Sequence, residues 1–172
     1  MSETFTKKSY QAKDLAGEIL EEVTFETCSF IATDLTGTRV NEVVFEGCKL
    51  VGVDFRKCKG FLDMKFYNCV MDGCNFSDLV LKDQMFVSCE LRRCTLLRTD
   101  LTGADFSHTD LTETLIHECT LVRTDFSRAK NYAIDPRGNK LGKTKFSLPE
   151  AVSLLRGFDI ELKIPTTYGA IG

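Results

Sequence analysis

The sequence predicts an all-β fold: short extended segments wound into a four-sided coil of about six turns, a quadrilateral β-helix. Three observations predict it. Large apolar residues recur every five positions: Leu15, Leu20, Phe25, Phe30, Leu35, Val40, Phe45, Leu50 and Phe55. After a one-residue slip in "FRKCKGF" the series resumes at Phe61, Phe66, Met71, Phe76, Leu81, Phe86, Leu91, Leu96, Leu101, Phe106, Leu111, Ile116, Leu121 and Phe126. The residue two places before each is mostly compact, as in Cys28, Thr33, Thr38, Cys48, Ala104 and Thr124. Every fourth unit carries phenylalanine: Phe25, Phe45, Phe66, Phe86, Phe106 and Phe126.

A period of five fits neither a strand, which repeats every two residues, nor a helix, which repeats every 3.6. On a helix each such step would turn the apolar residue about 140° further round. A chain that turns a corner every five residues explains it, with one large and one small side chain pointing inward per segment. Identical residues recurring at the fourth unit mean four segments per coil. Coils then stack at the ordinary strand spacing, so six of them make a rod about 28 Å long.

The elements follow in order. The first units, "AKDLA" and "GEILE", place Lys13 and Glu18 where a small residue is expected, and read as a worn first coil open to water. Phe5 lies before the pattern and is expected outside the coils. The slip at Lys57 to Gly60 reads either as a bulge relaxed at Gly60 or as a hinge that bends the rod. Residues 1–130 form the repeat region and 131–172 a separate carboxy-terminal segment. In that segment Asp135-Pro136 and Arg137-Gly138-Asn139 signal turns. "SLPE" is a capping-box pattern, Ser147 to Glu150, opening an α-helix with Leu148, Ala151, Val152, Leu154 and Leu155 on one face and Gly157 at its end. Ile160, Leu162 and Ile164 alternate as a short strand would. The open end of a repeat stack needs a cap. This helix is longer than a cap requires, so Leu148, Val152 and Leu155 are candidate homodimer contacts.

Composition bounds the chemistry. With 43 % apolar and 27 % charged residues and a net charge of -3, the chain reads as globular, without the basic excess of a direct nucleic-acid binder. No apolar run is long enough for a membrane helix. The start shows no secretory signal pattern, so a cytoplasmic setting with reduced thiols is the expectation. Of the eight cysteines all but Cys58 fall on the small inward position, with Cys28, Cys48, Cys69 and Cys89 stacked on one face. A straight column of thiols does not converge on a metal, and the expected role is that of small buried apolar side chains. His108 and His117 point outward on different faces, away from any nucleophile. Asp34, Asp54, Asp100, Asp105, Asp110 and Asp125 stand just before the large residue, where turn hydrogen bonding is expected. No catalytic residues, metal site or cofactor site are read. A coil filled by its own side chains leaves only its surface, where Val44, Tyr67, Met85 and Val87 form a candidate contact patch on the phenylalanine face.

The units "TDLTG", "ADFSH", "TDFSR" and "CNFSD" resemble the pentapeptide-repeat proteins, and the likeness runs from Lys13 to Lys130. The resemblance implies a right-handed quadrilateral β-helix; that the protein is non-enzymatic is expected from the residues themselves, since a rod filled by its own side chains has no pocket for a substrate. The single break and the terminal helix are similar to those of the quinolone-resistance group. That group is taken to imitate a DNA duplex, to bind the type II topoisomerases DNA gyrase and topoisomerase IV, and to pair rods end to end. A topoisomerase-binding protein is therefore one expectation, and an interaction scaffold for another partner is the alternative. The charge pattern lends the first only modest support. The phenylalanine face sets Glu26, Glu46, Asp105 and Asp125 against Lys65 and Arg128, far below the charge density of DNA.

Overall fold

A computed structural model describes residues 3–158, 160, 161 and 163. The chain is a β-solenoid of about seven coils. Each coil has four short faces, and strands on one face pair in parallel with those of the next coil. On the first face the register runs Phe5 to Phe25, Phe25 to Phe45, Phe45 to Phe66 and Phe66 to Phe86. Isolated bridges carry it upward through Met85, Asp105, Asp125 and Lys145. The second face pairs Ser9–Gln11, Ser29–Ile31, Lys49–Val51, Val70–Asp72 and Glu90–Arg92 in the same way.

Parallel strands stacked in register put like side chains on like. The phenylalanine rings of the first face form one column from Phe5 to Phe146, with successive centroids 4.9 to 5.6 Å apart and near-parallel planes. Phe30, Phe55 and Phe76 meet that column edge-on, as the ring quadrupole favours. The core ladder Phe25, Phe45, Phe66, Phe86, Phe106 and Phe126 is buried throughout.

The small inward position has a second task. The Thr38 hydroxyl donates to the Leu15 carbonyl at 2.7 Å, Thr124 to Leu101 at 2.8 Å and Thr33 to Tyr10 at 2.8 Å. The Cys48 thiol donates to Phe25 at 3.2 Å, and Cys69 to Phe45 at 3.3 Å. Each donor sits 23 residues after its acceptor, or 24 where the slip intervenes, as from Phe45 to Cys69. Compactness alone therefore does not explain the threonines and cysteines. They satisfy the inward-facing carbonyl of the large residue on the coil below, which would otherwise be buried without a partner.

The corners rest on left-handed backbone. The residue two after the large one has positive φ on coil after coil, as at Thr27 (+50°), Ser88 (+56°) and Glu118 (+56°). The aspartates complete the turns. Asp34 Oδ1 accepts from the Thr36 amide at 3.1 Å and its hydroxyl at 2.6 Å, and Asp100 and Asp110 do the same for Thr102 and Thr112.

Four expectations need correction. The stack is longer than six coils, because Phe5 and Tyr10 belong to it: they stack on Phe25 and Phe30 at 5.5 and 5.0 Å. Their coil was hidden because its small positions, Glu3 and Lys8, are exposed at the open end and free to be charged. The coil also runs past residue 130. Lys140–Gly142 pairs with Thr120–Val122, Phe146 stacks on Phe126, and Asn139 takes the small inward place, donating to the Ile116 carbonyl at 3.2 Å. At the slip, the large inward residue is Leu62 rather than Phe61: Leu62 is 4 % exposed and Phe61 71 %. The terminal helix, Glu150–Gly157, is wound as a 3-10 helix rather than an α-helix. Its capping box does not form, because the Ser147 hydroxyl donates instead to the Ser127 carbonyl of the last coil. The expected strand at Ile160 involves Leu162 and Ile164, which lie outside the described residues.

Candidate functional site

The interior is packed with its own side chains from Leu15 to Ile134, so any site is on the outside or at the ends. Among the described residues no cluster of three or more histidine, cysteine or acidic side chains is placed to hold a metal, and no helix is long and apolar enough to cross a membrane. The eight cysteines are free thiols. Cys28, Cys48, Cys69 and Cys89 form the expected column, each buried. The Cys48 thiol is raised far above its ordinary value by the adjacent Cys69 thiol and by burial, and burial pushes Cys58 up to about 12. His108 and His117 are exposed, the first against Arg128 at 3.2 Å and the second beside Glu118 at 3.8 Å.

The break is the least regular part of the surface. Asp54 caps a short 3-10 turn, Phe55–Lys57, by accepting from the Arg56 amide at 3.1 Å. The chain then overshoots the corner. Gly60 takes φ +84° with open space where a Cβ would stand, Phe61 swings out to solvent, and Leu62 fills the core position. Below, this segment is tied to its neighbour by Lys59 to Thr38 at 2.8 Å and Gly37 to Lys57 at 2.9 Å. Above, among the described residues, no backbone hydrogen bond joins residues 58–62 to residues 78–82. The parallel ladder of this fourth face therefore stops at Lys59 and starts again at Val80, which pairs with Asp100.

Gln84 repairs the next corner. It occupies a small inward position, 5 % exposed. Its Oε1 accepts from the Met64 amide at 2.6 Å, and its Nε2 donates to the Lys82 carbonyl at 3.2 Å. The sequence reading missed this role. A long polar residue where cysteine, threonine or alanine is usual was the available signal.

Phe61 separates two surface clefts. One, about 320 Å³, has Ile19, Arg39 and Lys59 along it. The other, about 410 Å³, has Cys58, Leu62, Asp78, Leu79 and Val80. The patch expected on the first face is less open. Val44, Tyr67, Met85 and Val87 are each half-buried, and Lys65 stands between Val44 and Met85 in the register. At the far end Leu148, Val152 and Leu155 are exposed, while Leu154 packs on the core. A third cleft, about 380 Å³, runs along this helix past Phe158 and Ile160.

The turn aspartates are ionised but not bare. Thr36 holds Asp34 below the usual carboxylate range by hydrogen bonding, Arg56 does so for Asp54 and Arg98 for Asp78. Basic side chains neutralise many of them: Lys57 to Asp34 at 3.4 Å, Lys82 to Asp100 at 3.3 Å, Lys130 to Asp110 at 3.6 Å and Lys145 to Asp125 at 2.8 Å.

Comparison with known proteins agrees with this architecture. Two family models match, "Pentapeptide repeat region" over residues 18–92 and "Pentapeptide repeats (8 copies)" over residues 74–117. No curated protein matches the chain. Among solved structures, a trypsin-treated form of QnrB1, a plasmid-mediated fluoroquinolone resistance protein, is 18 % identical over 95 % of this chain and 100 % of that one, with a TM-score of 0.38. A second trypsin-treated form of QnrB1 is 20 % identical over 94 % and 98 %, with a TM-score of 0.39. HetL, a pentapeptide repeat protein involved in heterocyst differentiation regulation from the cyanobacterium Nostoc, is 12 % identical over 85 % and 86 %, with a TM-score of 0.34. The matched repeats span more than half of the sequence, and the five-residue unit, the four faces and the stacked phenylalanine column are what such repeats build: the chain belongs to the pentapeptide-repeat proteins.

Proposed function

We propose that the protein is a non-catalytic binding rod whose partner is a type II topoisomerase, DNA gyrase or topoisomerase IV, and that it protects that enzyme from quinolones by occupying the place of DNA. The observation that carries the binding-rod reading is the filled interior. With the core closed by its own side chains, recognition is left to the outer faces. The choice of topoisomerase rests on the family resemblance of the repeats and the single break. On this reading the imitation of DNA is one of shape before charge, since Asp34, Asp54, Asp100, Asp110 and Asp125 each have a basic neighbour.

Two rods joined through Leu148, Val152 and Leu155 would match a two-fold symmetric partner and raise avidity. The test is a gyrase supercoiling assay with the protein titrated in, with and without a fluoroquinolone. Restored supercoiling in the presence of drug supports the reading. No effect at any ratio removes the topoisomerase and leaves the second reading, a scaffold for another protein, which the exposed Phe61 favours. Leu155→Glu should convert a dimer to a monomer by sedimentation and weaken any gyrase effect. A dimer that persists would show that the helix only caps the rod.

A further inference from the structure

We propose that the interrupted ladder on the fourth face is a docking site for an extended, acidic segment of a partner protein. The proposal rests on the binding-rod reading but not on the identity of the topoisomerase. Three independent features meet there. The first is backbone. Residues 59–61 and Val80 are exposed, and although Lys59 is bonded to Thr38 on the coil below, no backbone hydrogen bond among the described residues joins residues 58–62 to residues 78–82 on the coil above. Water serves these groups in the free chain. An extended peptide could replace that water with its own amides, as strands added to sheet edges do.

The second is apolar surface. Phe61 is 71 % exposed, and Ile19 and Val80, at 65 % and 54 %, stand on the same face, Ile19 along the cleft below it and Val80 along the cleft above. An aromatic side chain projecting between two clefts is the kind of residue that dominates a protein contact. Burying Phe61 in the core instead of Leu62 would have been the ordinary outcome of the repeat.

The third is charge. Arg39 and Lys59 stand one above the other through a parallel bridge and form no ion pair among the described residues. The cations nearest the break on the same coils, Arg56, Lys57, Lys82 and Arg98, are each neutralised by a carboxylate; Lys49, Lys65 and Arg123 also form no ion pair among the described residues, but they do not stand beside Phe61 as Arg39 and Lys59 do. Of the acidic groups beside the clefts, Asp78 is tied to Arg98 at 2.7 Å, while Glu21 lies along the lower cleft. Two stacked, uncompensated cations next to an exposed aromatic select a segment that carries an acidic residue beside an apolar one.

The experiment is selection of a displayed library of random linear peptides on the immobilised full chain, followed by fluorescence anisotropy with one selected peptide. The proposal expects enrichment of Asp or Glu next to aromatic or aliphatic residues. It also expects affinity to fall about tenfold or more with Phe61→Ser and with Lys59→Glu, both at exposed positions, and to hold with Phe158→Ser at the far end. Hydrogen exchange should show the Phe61 and Val80 amides open in the free chain and slowed by the peptide. Selected peptides without acidic residues, affinity indifferent to Phe61→Ser and Lys59→Glu, or unchanged exchange at these amides would each overturn the proposal. A negative supercoiling assay alongside peptide binding at this face would remove the topoisomerase and keep the site. Peptide binding that depends on Phe158 alone would keep the binding rod and remove the site.

Discussion

Replacing Gln84 by methionine keeps the length and apolar volume of the side chain and deletes only its hydrogen bonds. The Met64 amide then loses its acceptor at 2.6 Å and the Lys82 carbonyl its donor at 3.2 Å. Both lie at the corner above the break, and Met64 is 1 % exposed, so water does not reach it readily. A buried amide left unpaired costs about 1–3 kcal/mol. The lost bond to Lys82, nearer the surface, adds about 0.5–1 kcal/mol. The expected total is roughly 1.5–4 kcal/mol. At a urea dependence of about 2 kcal/mol per molar, the unfolding midpoint should fall by about 1–2 M. Exchange of the Met64 amide should quicken in parallel. Gln84→Ala should cost more, because it also opens a cavity. If Gln84→Met matches the parent in midpoint and the Met64 amide stays protected, then Gln84 does not repair the corner and the reasoning fails.

Other outcomes are open to measurement. Phe86→Ala removes a ring that meets Phe66, Phe76 and Phe106 at 5.2, 5.7 and 4.9 Å, and should cost about 3–5 kcal/mol by denaturant titration. Phe5→Ala should cost well under half of that, since its ring stacks on Phe25 alone and is only half-buried; equal losses would contradict the column. Gly73→Ala should lose about 1 kcal/mol although its Cβ would meet nothing, because φ is +63°, and Gly73→Asn should lose less. Asp34, Asp54 and Asp78 titrate below their unfolded values when folded, and Arg137 holds Asp135 down to about 2. Their contribution is complete above about pH 5 and is lost as pH falls through the unfolded and then the folded values, so thermal melting should drop on acidification below about pH 5 and stay level from there to neutrality. Cys48 and Cys69 should react slowly with a thiol reagent in the folded chain and promptly in denaturant; prompt reaction in the folded chain would place them on the outside.

Much of the fold was legible because its period is short and its neighbours identical. Phe25 through Phe126 can stack only if twenty residues return the chain to the same face, and the cysteine column follows from the same count. The ends were harder to read for a physical reason. Glu3 and Lys8 are tolerated at the small positions because both are exposed there, so the compact-residue signal fades around Phe5 and Tyr10. At the other end the excursion through Asp135 to Gly138 masks a return to register that Asn139, Leu141 and Phe146 complete. The break defeated the count because either Phe61 or Leu62 satisfies it. Only the backbone decides, through Gly60, which of the two turns inward. The contact surface was least legible, since exposure and ion pairing depend on neighbours one coil away. Val44 and Met85 looked contiguous until Lys65 was found between them.

The twenty-residue return has a mechanical consequence. Each coil is held mainly by the coil beneath it, through parallel ladders such as Phe25 on Phe5 and Phe45 on Phe25. Pulled from its ends, such a rod does not rupture all at once; it peels. Each released coil would add about 70 Å of slack at roughly 3.5 Å per residue, so the extension record should be a sawtooth of nearly even teeth. One tooth should differ. Where Lys59 and Val80 are not joined, the coil above the break is gripped on three sides rather than four, and it should let go at a lower force than its neighbours.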